Sequence, residues 1–422
     1  MNSKTIGNIF KGDKVIWMIF FFLCMISIIE VYSASSSLTY KSENYMGPVI
    51  KHMGLLGLGI LTMICMLKVK CKYFKIVTPF VLGFSFLLLI WALVAGQSAN
   101  GASRWINLVG FNFQPSELAK GAVILAVAQI LSAMQTENGA NNRAFKFILV
   151  AVAPFVFLIG LENLSTAMLL CVTILCMMIV GRIPMKLIGI LVGTVLIAIS
   201  LMLGTIMIIG HDDQETVKPE NTLTENVTKE EPSTAGKLFH RADTWKARID
   251  KFLDSKPVAP EDVDLNKDAQ VAHANIAIAS SNIAGKGPGN SVERDFLSQA
   301  YSDFIYSIII EEMGIEGAIA VAMLYIFLLF RVGRIANRCE NNFPAFLAMG
   351  LAILLVIQAL FNMMVAVGLA PVTGQPLPLI SRGGTSTVIN CVYLGIILSI
   401  SRTAKKKDGS QNAHHEAKIV VA

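Results

Sequence analysis

Apolar runs longer than the roughly 18 residues needed to cross a bilayer recur from Val15 almost to the end of this 422-residue chain. No other feature narrows the fold as much. Hydrocarbon offers the backbone no hydrogen-bond partner, so such segments must be helices or strands of a closed barrel. Barrel strands alternate polar and apolar residues, and these runs do not. With 54% apolar and only 15% charged residues, a water-soluble enzyme is excluded. The reading is an all-α polytopic membrane protein with about ten transmembrane helices, at approximately 15–35, 48–68, 74–96, 117–134, 145–162, 164–181, 186–209, 304–331, 344–368 and 384–401.

Lys4, Lys11 and Lys14 precede the first run, and no small-residue cleavage site ends a short hydrophobic core, so this run is expected to stay as an anchor. Orientation follows from Lys and Arg in short connections, which are held on the cytoplasmic side. Lys68, Lys70, Lys72 and Lys75, then Arg143 and Lys146, Arg182 and Lys186, Arg331, Arg334 and Arg338, and Arg402 with Lys405 to Lys407 mark alternate connections. The expected organisation is a cytoplasmic N-terminus at 1–14, helices 1–7 over 15–209, a large extracytoplasmic loop at 210–302 between helices 7 and 8, helices 8–10 over 303–401, and a cytoplasmic tail at 402–422. The loop carries a charge of −5 and the remaining chain +11, and none of the seven cysteines lies in it. Its order is therefore expected from packing or partners rather than disulfides.

Within the loop, residues 212–235 are acidic with few large apolar groups and read as flexible. Trp245, Ile249, Phe252 and Leu253 share helical spacing, and 269–284 is weakly apolar, which predicts short helices at the membrane surface. Gly285 to Ser291 predicts an irregular turn. Asn226-Val-Thr matches a glycosylation sequon, a pattern too common to weigh.

Polar residues within or beside the spans are costly and need a partner or a task. Four clusters stand out. In the first, Arg104 and Gln114 precede Pro115-Ser116-Glu117, where Ser116 reads as an N-cap and Glu117 as a first-turn carboxylate, with Lys120 one turn deeper. One reading is a capped helix with an internal ion pair. The other is an anionic-substrate site with Arg104 and Lys120 as phosphate partners. In the second, Asp303 opens the eighth span at the boundary between water and lipid. It reads either as an ordinary cap or as a general base. Glu311 and Glu312, two turns on, read as members of a buried polar network.

The third cluster, Pro371 to Ser386, cannot be continuous helix and should line a cavity. Gly383-Gly384 opening the last helix would offer N–H donors to an anion, with Ser381 and Arg382 beside them. The fourth, Glu162-Asn163 with Ser165 and Thr166, reads as a solvated interfacial turn. All four fall on the same side of the membrane. Cationic and carboxylate groups around irregular loops at the outer leaflet suit a lipid-linked pyrophosphate substrate.

These residues resemble the SEDS (shape, elongation, division, sporulation) family of peptidoglycan glycosyltransferases, FtsW, RodA and SpoVE, over almost the full length. The resemblance is carried by Val31 to Ser35, Asn100 to Ile106, Phe113 to Lys120, Gly289-Asn-Ser, Ser302-Asp-Phe with Glu311-Glu-Met-Gly314, Leu377 to Ser381, and Gly383 to Ser386. Gly289-Asn-Ser and Arg241 to Arg248 look nearer the division branch, FtsW, than the elongation branch. The resemblance implies that Asp303 is the catalytic carboxylate and that Glu117 and Lys120 line a central cavity. It implies substrate contacts at Arg104, Gln114, Ser381, Arg382, Gly383 and Gly384. The chain departs from the family pattern at Gln299, where a glutamate is usual, at Arg382, where a tyrosine is usual, and at Glu162-Asn163.

The implied reaction polymerises lipid II into septal glycan strands with inversion and with undecaprenyl pyrophosphate as leaving group. No His/Asp/Glu cluster forms a metal site in the sequence, and a divalent cation, magnesium or manganese, enters only as a hypothesis. Implied partners are a class B penicillin-binding protein, the cognate transpeptidase, and other division proteins, with no nucleic acid. The implied location is the bacterial cytoplasmic (inner) membrane at the division septum. A lipid II flippase and a non-catalytic scaffold for the transpeptidase remain as alternatives.

Overall fold

The structure is a computed structural model and describes residues 11–34, 47–99, 102–108, 111–137, 139–209, 269–297 and 300–420. In chain order these form α1 (Lys14–Ala34), α2 (Gly47–Lys68), α3 (Cys71–Ala95), β1 (Gln97–Ala99), β2 (Ala102–Leu108), β3 (Phe111–Phe113), α4 (Pro115–Ala133), β4 (Gln135–Thr136) and β5 (Gly139–Ala140). There follow α5 (Asn142–Glu162), α6 (Leu164–Val180), α7 (Met185–Ile209), α8 (Ala269–Ala279), α9 (Ile305–Ala336), α10 (Asn342–Ala366) and α11 (Thr385–Val420). Ten of these helices coincide with the ten apolar runs. Among the described residues eight are long and apolar enough to span a membrane, and α6 and α7 contribute shorter apolar stretches.

The chain divides into two units. Residues 186–259 form one, whose described part is α7 beyond its first residue; everything that follows concerns the other, residues 1–185 and 260–422. Within it α4, α10 and α11 are central: 72%, 72% and 78% of their apolar windows are buried, against 28% for α2, α3 and α5. The cause lies in composition. The buried face of α4 carries a set of small side chains, Ala119, Ala122, Ala126 and Ala128, of the kind that lets membrane helices approach closely. Outward faces of α2, α3 and α5 carry large apolar groups such as Leu61, Phe80 and Phe157, consistent with a lipid-facing surface.

Two details depart from the sequence reading. Residues 97–113 were expected as loop but form a three-stranded antiparallel meander, β1-β2-β3. Trp105 and Ile106 are strand formers within a short polar stretch, and Ile106 packs against Leu88 and Ala92 of α3. The last helix, expected to end at 401, continues with helical backbone to Val420. Of the loop expectations, α8 falls inside 269–284, whereas 212–235, Asn226 and the Trp245 to Leu253 repeat lie outside the described residues. All seven cysteines are free thiols.

Candidate active site

Asp303 sits in the turn before α9. The helix begins at Ile305 and its N-cap is Phe304, which makes no side-chain capping bond, so Asp303 lies one residue before the cap position. Its Oδ1 accepts from the Ser302 hydroxyl at 3.0 Å. The chain segment carrying it is gripped by residues 371–384, which are irregular as their prolines and glycines predict. Ser381 Oγ donates to Ser302 O at 2.6 Å, Arg382 N donates to Tyr301 O at 2.9 Å, and the Arg382 guanidinium lies over the Tyr301 ring, 5.4 Å from its centroid. Gly374, with φ +69°, passes so close that a Cβ there would stand 3.5 Å from Asp303 Oδ2.

The irregular segment is itself over-determined. Ser381 Oγ accepts from Leu377 N at 2.7 Å, and the Tyr325 hydroxyl donates to Pro378 O. Ser27 Oγ donates to Ile380 O at 2.8 Å while meeting His52 Nε2 at 2.9 Å. Because the single Ser27 proton goes to Ile380, His52 Nε2 must be the donor in that pair. These anchors hold Leu379 in the left-handed region at φ +68°, a conformation that costs a side-chain-bearing residue of order 1–2 kcal/mol and persists only where its surroundings enforce it.

Two amides on α10 join the remaining clusters. Lys120 Nζ pairs with Glu117 Oε1 at 2.9 Å and donates to Gln358 Oε1 at 3.0 Å, while Gln358 Nε2 donates to Pro376 O at 3.1 Å. Asn362 Nδ2 donates to Asp303 O at 2.8 Å and to Gln375 O at 2.7 Å. Gln375 Nε2 then donates to Thr166 Oγ1 at 2.8 Å. The first, second and fourth sequence clusters thus converge on the third, the 371–384 segment, the first through Gln358, the second through Asn362 and the fourth through Gln375. The sequence reading missed Gln358 and Asn362; the available signal was two carboxamides inside an otherwise apolar span.

Several expectations change in detail. The helix carrying Glu117 starts two residues earlier than expected: Pro115 takes the first helical position, which suits its fixed φ, and the N-cap is Gln114 rather than Ser116. Lys120 is fully buried and engaged by Glu117 and Gln358, so its charge faces a carboxylate rather than open solvent. Tyr393 hydroxyl donates to Glu117 O at 2.5 Å, tying this helix to α11. Gly383 N donates to Ser381 O at 2.8 Å, so it is already engaged, and Gly384 takes the left-handed region at φ +58°. The Glu162-Asn163 turn is buried, not solvated, because Asn163 caps α6 by accepting from Thr166 N at 3.3 Å. Arg104 lies in β2, its side chain beyond the description, and Gln299 lies outside the described residues.

Among the described residues, four buried acceptor oxygens of this region, Glu117 Oε2, Asn362 Oδ1, Thr373 Oγ1 and Gln375 Oε1, find no hydrogen-bond partner. Buried acceptors are seldom left so; hydroxyl, amide or water donors entering the site would satisfy them. Among the described residues no group of three or more His, Cys, Asp or Glu side chains could hold a metal ion.

A buried ion pair, a half-buried carboxylate and an irregular segment between two spans form one connected unit. Residues 13–406 match the model of the FtsW/RodA/SpoVE family, described as a cell cycle protein. This chain belongs to that family. Relatives of this family member include the probable peptidoglycan glycosyltransferase FtsW of Geobacter metallireducens, 30% identical over 96% of this chain and 99% of the relative. The peptidoglycan glycosyltransferase MrdB of Escherichia coli is 26% identical over 94% and 96%. Among solved structures, a chain from a peptidoglycan synthase complex coordinating polymerization and crosslinking matches with a TM-score of 0.65, 25% identity and coverage of 93% and 98%. The rod shape determining protein RodA of Thermus thermophilus shares the fold, with a TM-score of 0.61, 22% identity and coverage of 93% and 97%. That protein has also been solved as an aspartate-to-alanine mutant.

Proposed function

We propose that this chain is a peptidoglycan glycosyltransferase that polymerises lipid II into glycan strands. The observation that carries the reading is the placement of Asp303: its carboxylate is held beside Gly374 at the end of an irregular segment, while its backbone is fixed by Asn362, Ser381 and Arg382. Full-length relatives named as peptidoglycan glycosyltransferases support the reaction class.

In the proposed reaction the 4-hydroxyl of the acceptor disaccharide attacks the anomeric carbon of the donor chain. The new glycosidic bond forms as the bond to undecaprenyl pyrophosphate breaks, with inversion at that carbon. Asp303 accepts the hydroxyl proton, a contribution typically worth roughly 10² to 10⁴ in rate. The departing diphosphate takes the electron pair and is stabilised by Arg382, with Arg104 and the Gly384 turn as further contacts. Glu117 and Lys120 orient Gln358, and through it the segment at Pro376.

The site opens to the extracytoplasmic side under the charge-derived topology, with both termini cytoplasmic in the bacterial inner membrane. Division-branch features at Gly289 to Ser291 favour septal synthesis. A class B penicillin-binding protein is the proposed partner, supported by the likeness to a chain from a synthase complex. The test is Asp303→Asn, reconstituted with lipid II. We expect an inserted, stable protein that makes no glycan strands. Normal polymerisation by this variant would refute the base; lost polymerisation with retained lipid II translocation would instead point to a flippase.

A further inference from the structure

Helix α9 is broken. At Gly314 the backbone leaves the helical region for φ +70°, ψ −173°, so the carbonyls of Glu311 and Glu312 lose the partners that a continuous helix would supply four residues on. The break isolates Ile305 to Met313, a piece too short to be a stable helix alone and the piece that follows directly from Asp303. In a membrane-spanning element such orphaned carbonyls must be satisfied by protein.

They are. Lys286 N donates to Glu311 O at 2.9 Å and Gly287 N to Glu312 O at 2.8 Å, while Glu316 N, beyond the break, donates to Ile283 O at 3.4 Å. Residues 283–287 therefore replace the missing rungs of α9 with their own backbone. The approach requires glycine on both sides: a Cβ on Gly285 would collide with Glu312 O, and one on Gly314 with Ile283 O.

The side chains of Glu311 and Glu312, both fully buried, fasten the rest of the segment. Glu311 accepts from Lys286 Nζ at 2.6 Å, from Ser291 Oγ at 2.5 Å and from Val292 N at 3.1 Å. Glu312 accepts from Gly289 N at 2.9 Å, from Ser291 N at 3.2 Å and from the Ser33 hydroxyl of α1. Arg294 closes the network, its Nη1 donating to Ser33 Oγ at 2.9 Å and Gly289 O at 2.6 Å. Neighbouring Glu30 is buried, and among the described residues neither of its oxygens is hydrogen-bonded.

We infer that Glu311 and Glu312 are positioning residues, which dock residues 283–294 as a brace across the break in α9 and thereby fix the half-helix that sets Asp303. This rests on the assignment of Asp303 as the base. The half-helix has two further described side-chain ties, the Tyr306 hydroxyl to Ala318 O at 3.1 Å, across the break, and Ser307 Oγ to Ala366 O at 3.2 Å. Loosening the brace therefore lets the Asp303 turn shift against the 371–384 segment, and a displacement of about 1 Å at a reacting group costs roughly a hundredfold in rate.

The experiment compares Glu312→Gln, Ser291→Ala and Asp303→Asn with the parent protein in nanodiscs, measuring lipid II polymerisation kinetics and amide hydrogen exchange. Glu312→Gln keeps shape but turns one acceptor into a donor facing donors. We expect exchange over 283–294 and 305–313 to quicken, with kcat falling by about tenfold or more and KM within about twofold. Ser291→Ala removes one strap, should show a smaller change in the same direction, and decides the matter if Glu312→Gln does not insert. Full kcat in a variant whose brace exchanges faster overturns the proposal, as does a loss of kcat with exchange unchanged. Asp303→Asn separates the two claims: it should be inactive with the brace still protected, and activity there removes the base while leaving the brace measurable.

Discussion

One amide nitrogen of Asn362 serves two backbone carbonyls, that of Asp303 at 2.8 Å and that of Gln375 at 2.7 Å. A single buried side chain on α10 thus locks the turn bearing the proposed base to the irregular segment facing it. The bond from Asn362 to Asp303 is to its main chain, not to its carboxylate.

Replacing Asn362 with leucine leaves both carbonyls buried without this donor, a loss of about 1–3 kcal/mol. The expected result is a lower thermal midpoint together with a fall in kcat of about tenfold or more, because the base is no longer held. Thermal unfolding and lipid II consumption measured on the same preparation check this. Unaltered turnover would show that the bridge is only structural.

The Glu117–Lys120 pair has almost no exposure, so removing one partner strands the other charge. Lys120→Met should destabilise by about 3–5 kcal/mol, and the double variant Glu117→Gln with Lys120→Met by clearly less. A double-mutant cycle in detergent measures the coupling; additive losses would mean that the two charges do not sense each other.

At Gly374 the left-handed backbone and the 3.5 Å approach to Asp303 Oδ2 act together. Gly374→Ala should cost only about 1–2 kcal/mol in stability, since the residue is exposed. Activity should suffer more, since the methyl crowds the carboxylate face where the acceptor hydroxyl must arrive. Initial rates across a lipid II titration test this, and kcat/KM equal to the parent's would contradict it.

At the other end of the bundle Asp13 accepts from Val15 N and Ile16 N at 3.0 and 3.3 Å and from Arg331 through two nitrogens, the shorter contact 2.7 Å. Burial pushes its carboxyl upward, but the Arg331 hydrogen bonds and charge, with the two backbone donors, hold it below its ordinary value of 3.8. A depressed folded-state value means that this stabilisation is present above about pH 4 and fades as the pH drops through the lower folded value. Asp13→Asn should therefore lower the midpoint at pH 7, and the gap to the parent should narrow on acidification below 3.8. A gap independent of pH would show that the carboxylate charge is not what stabilises the latch.

What the sequence determined alone was the place of the long apolar helices and the chemical identity of the polar groups beside them. Continuous apolar runs admit only helix in hydrocarbon, and each charge left beside them needs a reason. Those are local constraints, so Asp303, Glu117, Lys120 and the Pro371 to Ser386 irregularity were legible residue by residue. The strands β1, β2 and β3 were not, because runs of three to seven residues carry little alternation signal. Nor could the sequence tell whether Glu117 and Lys120 stay paired or face substrate, or that Glu162-Asn163 is buried. Those questions turn on which helices become neighbours. Only the tertiary structure sets Gln358 and Asn362 of α10 against residues 375–376, and only it brings Ile283 to Gly287 across the break at Gly314. Hydrogen bonds between segments tens to hundreds of residues apart follow from packing, and an isolated carboxamide or glycine in an apolar run does not name its partner.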